Sequence, residues 1–241
     1  MTNPGSLYLI PCPLSEHEPL QSLPPSIAAR VAKLSVFLVE NEKSARHFIK
    51  LLNPNCDLPS LTLIPLNEHS DTEKITISCA PLREGQDMGV ISEAGCPGVA
   101  DPGTEAVRYA HSIGARVIPL VGPNSMLLAL MASGCNGQRW RFVGYPPRKE
   151  PERSTFLKSL FLTAMNTGES QIVMEAPYRS SKLLQDLLRA GSKDSVLCIA
   201  ANLSDRFESI QTKRIGAWRE SSPDLHRSPA VFIIGDGKST L

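Results

Sequence analysis

The chain has 241 residues, with 25 Lys and Arg against 24 Asp and Glu for a formal net charge of +1. That balance excludes a uniformly basic nucleic-acid coat protein while leaving room for a local basic patch. At roughly 150 residues per domain the length fits one large domain or two small ones, and 41% hydrophobic residues are enough for a core, which excludes a disordered chain. A mean hydropathy of -0.10, with no apolar run long enough to cross a bilayer, points away from a membrane protein. The opening Met1-Thr2-Asn3-Pro4-Gly5-Ser6 has neither the basic head nor the apolar stretch of a signal peptide, so a cytoplasmic protein is expected. Six cysteines (Cys12, Cys56, Cys79, Cys96, Cys135 and Cys198) are spread without a Cys-x-x-Cys pair and read as reduced thiols. The histidines are equally dispersed, so no metal site is expected.

Along the chain, Leu7-Tyr8-Leu9-Ile10-Pro11 reads as a buried strand ended by prolines. Pro24-Pro25-Ser26 then opens a helix with Ile27, Ala28, Val31 and Leu34 on its apolar face. A strand is predicted over 36–40, a helix over 43–52, and further strands over 61–65, 89–91 and 116–120, with helices over 73–83 and 104–112 between them. Short apolar runs alternating with helical patterns imply a mostly parallel sheet covered on both faces. A second set follows: strands over 140–144, 171–175, 196–200, 209–213 and 230–234, with helices over 152–165 and 180–190. The Gly-Pro turn at Val121-Gly122-Pro123-Asn124 marks the boundary. The expected fold is therefore α/β, as two tandem domains, 1–121 with a mostly parallel sheet and 122–241 with a mixed one. Residues 237–241 read as a loose tail.

The densest punctuation is Ser92-Glu93-Ala94-Gly95-Cys96-Pro97-Gly98-Val99-Ala100-Asp101-Pro102-Gly103, after one predicted strand and before a predicted helix. Glycine lets main chain approach a ligand, proline fixes the bend, and the carboxyl ends of parallel strands are where open α/β sheets bind ligands. There is no G-x-G-x-x-G after the first strand, and no G-x-x-x-x-G-K followed by Ser or Thr, which disfavours a dinucleotide dehydrogenase and a P-loop phosphotransferase.

This loop resembles the signature of the tetrapyrrole methylase superfamily, the class III S-adenosylmethionine-dependent methyltransferases. Within it the sequence is similar to the bacterial 16S rRNA ribose-2'-O-methyltransferase branch, whose loop reads S-D-A-G-T-P-G-I-S-D-P-G. Further ordered matches are Pro11-Cys12-Pro13-Leu14 to P-T-P-I, Leu120-Val121-Gly122-Pro123-Asn124-Ser125 to L-P-G-P-S, and Ala132-Ser133-Gly134 to A-S-G. Phe142-Val143-Gly144-Tyr145-Pro146-Pro147 matches F-x-G-F-L-P, and Glu175-Ala176-Pro177-Tyr178-Arg179 matches E-S-P-H-R.

The resemblance implies S-adenosylmethionine held in a cleft between the two domains. Carried over position by position, its cofactor residues are Leu14, Gly95, Cys96, Val99, Asn124, Ser125, Met174, Asn202 and Ala230. Small and apolar side chains suit a cofactor fixed largely by backbone groups. It also implies RNA (16S rRNA or the small ribosomal subunit) as partner, and a homodimer.

Methyl transfer from a sulfonium needs in-line alignment and exclusion of water, a proximity effect that can reach ~7–11 kcal/mol. A hydroxyl acceptor must also lose its proton. Glu40, Glu93, Asp101 and Glu175 are the carboxylates predicted near the cleft. Glu40, Glu175 and Arg179 are the catalytic candidates, with each acid equally readable as a turn or helix cap and Arg179 either steering a phosphate or pairing with Glu175.

Two departures mark a divergent paralogue. The family's R-E-L-T-K is Ala201-Asn202-Leu203-Ser204-Asp205 here, and its G-N-L is Ser15-Glu16-His17. Asp205 in place of a lysine removes a phosphate contact, which Arg206 could restore. Between residues 139 and 158, Arg139, Arg141, Arg148, Lys149, Arg153 and Lys158 interleave with Trp140, Phe142 and Tyr145, a mixture suited to single-stranded RNA or to a solvated face over core aromatics. The expected function is methylation of a 16S rRNA ribose 2'-hydroxyl. The alternatives are a class III methyltransferase acting on a tetrapyrrole or other small molecule, and a non-catalytic cofactor-binding module.

Overall fold

Five short strands run parallel in the order β3-β2-β4-β1-β5. They are β1 (Ser6–Ile10), β2 (Val36–Val39), β3 (Thr62–Pro65), β4 (Met88–Ile91) and β5 (Arg116–Pro119). In this computed structural model residues 3–17, 19–66 and 72–237 are described. The chain divides into two units, Met1–Asn124 and Ser125–Leu241, so the division falls after Asn124 where the sequence placed it after Val121.

The strands of the N-terminal unit read as unbroken apolar runs because both faces are covered. Tyr8, Ile10, Phe37, Val39 and Ile91 pack on one face with Ile27 and Val31 of α1 (Ser26–Val31) and Phe48 and Ile49 of α2 (Glu42–Leu52). Their neighbours Leu7, Val36, Leu38, Met88 and Val90 turn to the other face, as the two-residue period of a strand requires. There they meet α3 (Thr72–Ser78), α4 (Ala80–Arg83) and α5 (Thr104–Ser112). Asn41 caps α2, its side chain accepting from the Lys43 and Ser44 amides at 2.9 and 3.2 Å. The single helix predicted over 73–83 is two helices, broken at Cys79. Pro81 lies in the first turn of the second, where its missing N–H costs least.

The chain leaves β1 towards β2 but leaves β4 towards β5, although β1 and β4 are neighbours. That reversal is the topological switch point at which open α/β sheets form their ligand crevice.

The C-terminal unit starts with α6 (Ser125–Ser133) and carries β6 (Trp140–Phe142), α7 (Glu152–Thr167), β7 (Ser170–Met174), α8 (Ser180–Ala190), β8 (Val196–Ala201), β9 (Ser209–Arg214), α9 (Ile215–Glu220) and β10 (Ala230–Gly235). Its sheet order is β6-β7-β10-β8-β9. Only β6 and β7 pair in parallel, and the other three ladders are antiparallel. Gly168, at φ 69°, ends α7 in the left-handed conformation. The indole N–H of Trp218 donates to the Leu197 carbonyl at 2.8 Å and ties α9 to the sheet.

The α/β class, the parallel first sheet and the mixed second sheet are as expected. The tail predicted over 237–241 lies, beyond Gly237, outside the described residues. Among the described residues no helix is long and apolar enough to cross a membrane, and no group of three or more His, Cys, Asp or Glu side chains could hold a metal ion.

Candidate cofactor and acceptor site

In the N-terminal unit the two loops at the switch point are stitched together. The Cys12 amide donates to the Gly95 carbonyl at 2.8 Å and the Gly95 amide to the Cys12 carbonyl at 3.1 Å. The signature loop then folds on itself, with the Gly98 amide donating to Pro102 and the Val99 amide to Cys96, both at 3.1 Å. Gly95, Gly98, Ala100 and Gly103 all have positive φ, at 70°, 78°, 62° and 138°. Such a bend needs glycine, and Ala100 adopts it at a cost in strain. A Cβ on Gly95 would lie 3.5 Å from Leu14 Cδ2 and 3.8 Å from the Pro123 carbonyl, so Leu14, Gly95 and the 122–124 segment share one locality. The Cys96 thiol donates to the Pro123 carbonyl at 3.3 Å, and Val99 is exposed.

The structure thus brings Leu14, Gly95, Cys96 and, through Pro123, the chain at Asn124 together. The Gly98 and Val99 amides are engaged inside the loop and the Gly95 amide by Cys12, so of the backbone groups expected to hold a ligand the carbonyls, each with a second lone pair, are better placed than these donors.

Glu40 follows β2 on the same edge. Its carboxylate accepts from the Glu93 amide at 3.0 Å, and Glu93 in turn accepts from the Ser44 hydroxyl at 2.8 Å. The two acids therefore brace the β2 and β4 loops against each other.

Burial raises the Cys12 thiol pKa, and the charges of Asp101, Glu93 and Glu40 raise it further. Burial likewise pushes Cys79 and Cys198 up to about 11. All six cysteines are free thiols, and Cys56 is half-buried. A raised pKa means less thiolate at neutral pH and slower alkylation. Iodoacetamide at pH 8 is expected to label Cys56 in the native protein and to reach Cys12, Cys79 and Cys198 only after unfolding. Peptide mapping of native Cys12 in its alkylated form would contradict this.

In the C-terminal unit, Met174 ends β7, Asn202 follows β8 and Ala230 begins β10. The register pairs Ala230 with Ala201 and Val231 with Met174, so all three candidates gather at one end of the sheet. Ser125 lies away from these strands in the chain, at the first position of α6. Just past β7, Glu175 Oε2 accepts from Arg153 Nη1 at 3.1 Å and lies 3.4 Å from Arg179 Nε. Arg153 Nε donates to Asp186 at 2.7 Å, and Asp186 also pairs with Lys182 and Arg189 at 2.9 and 2.7 Å. Arg179 therefore sits in a structural ion pair with Glu175.

Arg153, expected on a solvated basic face, is instead 2% exposed, because it bridges two carboxylates of the interior. Its neighbours keep their surface character: Trp140 and Tyr145 are exposed. Sequence reading missed the Arg153–Asp186 hub, since a helix arginine looks solvated unless the acids it meets are known to be buried.

No family model matches the chain. Among curated proteins it is 30% identical over 213 residues to "Ribosomal RNA small subunit methyltransferase I" of Micromonospora olivasterospora, covering 88% of this chain and 63% of that protein. It is 29% identical over 234 residues to the protein of that name from Pseudomonas aeruginosa (95% and 78%), and 28% over 231 residues to that from Vibrio cholerae (95% and 76%). Among solved structures, the methyltransferase CobJ superposes with a TM-score of 0.62 at 16% identity, over 96% of this chain and 94% of that one. The native uroporphyrin III C-methyltransferase of Thermus thermophilus gives 0.58 at 18%, over 97% and 98%. The chain therefore has the fold of these methyltransferases, and its sequence is similar over most of its length to proteins named as small-subunit rRNA methyltransferases.

Proposed function

We propose that the chain is a class III S-adenosylmethionine-dependent methyltransferase that acts on ribosomal RNA, with a ribose 2'-hydroxyl of 16S rRNA as acceptor. The observation that carries this reading is sequence similarity over most of the chain to several proteins named as small-subunit rRNA methyltransferases. The exposed rings of Trp140 and Tyr145 add surfaces on which unpaired bases can stack. Such a substrate places the protein in the cytoplasm. Met131 and Leu127, exposed one turn apart on α6, offer an apolar strip for a second copy.

Bound to the chain, S-adenosylmethionine supplies an electrophilic methyl group. The residues fit this group in two ways. Within the N-terminal unit the glycine bend at Gly95 and Gly98 presents main-chain carbonyls beside Leu14, and Cys96, Val99 and Asn124 offer the small or neutral contacts an adenosine and a methionine chain need. Glu40, Glu93 and Asp101, whose charges all act on Cys12, favour a cationic sulfonium over its neutral thioether product. In this reading Glu40 and Glu175 act as positioning residues, since each carboxylate is already an acceptor within its own loop or ion pair, and Arg179 orients Glu175.

A second reading, methylation of a tetrapyrrole, is favoured by the likeness of fold to CobJ and to uroporphyrin III C-methyltransferase. Tritiated methyl transfer separates the two when small ribosomal subunits from a deletion strain are offered beside tetrapyrrole precursors. Label in 16S rRNA is the expected result. Label in the small molecule establishes the second reading, and label in neither leaves a cofactor-binding module.

A further inference from the structure

The C-terminal unit holds a cavity of about 400 Å³ that lies along β8 and β9 and under the segment after α9, within the about 300–1,000 Å³ range of small-molecule sites. Its inner lining is apolar: Ile199, Ala201 and Trp218 are all at most 4% exposed. Its polar lining is mostly neutral, with Asn202, Ser209, Gln211 and three further serines, against one cation, Lys213, and one acid, Asp224. Phe207 also lines it yet is 62% exposed.

The loop holds that phenylalanine in place. The Phe207 amide donates to Asp205 Oδ1 at 2.9 Å, the Glu208 amide to the Asp205 carbonyl at 2.9 Å, and the Ser204 amide to Glu208 Oε2 at 2.8 Å. The Arg206 guanidinium stands 4.7 Å over the Phe207 ring, and Lys213 Nζ 4.4 Å over that of Trp218.

We infer that this cavity is an acceptor-side subsite for one unpaired nucleotide of RNA, its base stacking on the face of Phe207 away from Arg206 and read by Gln211, with Arg206 and Lys213 as the cations nearest its phosphates. A fixed, solvent-facing aromatic ring among neutral hydrogen-bonding groups and flanking cations is the chemistry of single-stranded RNA recognition. A polycarboxylate macrocycle would call for several cations, and the lining offers one. Asn202 and Ser209 bring one end of the cavity to the sheet end where Met174 and Ala230 also lie. The inference rests on the rRNA reading and names the site of that contact.

The test uses the full chain and a single-stranded oligoribonucleotide carrying 4-thiouridine. Ultraviolet crosslinks are mapped by mass spectrometry, and affinities are measured for wild type, Phe207→Ala, Phe207→Trp and Gln211→Ala. Crosslinks within residues 202–213 are expected. Phe207→Ala is expected to weaken RNA binding about 5- to 100-fold, with Phe207→Trp restoring it and S-adenosylmethionine affinity unchanged in all. RNA bound by the wild type but crosslinked elsewhere, with both alanine variants binding normally, overturns the subsite and leaves the rRNA reading standing. A wild type that binds no RNA and methylates a tetrapyrrole overturns both.

Discussion

Gly95→Val is expected to reduce S-adenosylmethionine affinity by about 100-fold or more, a loss of ~2.7 kcal/mol or greater, while the N-terminal unit stays folded. At φ 70° a valine adds left-handed strain of roughly 1–2 kcal/mol, small beside the stability of most domains. Its Cβ would meet Leu14 at ordinary contact distance, 3.5 Å. The fold can absorb that, but the two further methyls would occupy the space the bend keeps open. Gly98→Val, at φ 78° and with nothing nearer than 3.9 Å to its Cβ, is expected to act in the same direction. Calorimetric titration, read beside circular dichroism of the same samples, checks both. Normal binding by either variant would mean that the loop is not the cofactor cradle.

Arg153→Ala is expected to be the most damaging single change in the C-terminal unit, costing about 3–5 kcal/mol. The guanidinium is 2% exposed and its partners Glu175 and Asp186 are 8% and 7% exposed, so truncation leaves two carboxylates buried with a partner removed. Urea unfolding followed by Trp218 fluorescence measures the loss, and a cost under 1 kcal/mol would contradict the hub.

The same network gives a pH dependence. Burial works against the ionised Asp186, but hydrogen bonds and charge from Lys182 and Arg153 outweigh it and lower its pKa from 3.8. A carboxyl with a lower pKa folded than unfolded stabilises the fold above the unfolded value, and that contribution is lost as pH falls through the folded one. Asp186→Asn should therefore be less stable than wild type near neutrality, and the difference should shrink below about pH 4.

The elements that were legible in the sequence share a clear physical signal. Strands β1, β2 and β4 are short apolar runs closed by punctuation, and α5 and α8 have one apolar face, so each was predicted close to its observed bounds. The failures have equally specific causes. Ser-Met-Leu-Leu-Ala-Leu-Met-Ala-Ser, which forms α6, is apolar all round and lacks the periodic stripe that marks a helix. The six residues of α9 are too few to show a period. In the site, the glycine bend was visible as composition, because positive φ selects glycine whatever the surroundings. The pairing of Cys12 with Gly95 and the Arg153 hub depend on residues distant in sequence, and nothing local announces them.

A crystal structure with S-adenosylhomocysteine tests the central claim most directly. The ligand is expected against the main chain of residues 92–99, in contact with Leu14 and the Pro123–Asn124 segment. Clear density for it away from that loop, with the bend untouched, would contradict the account.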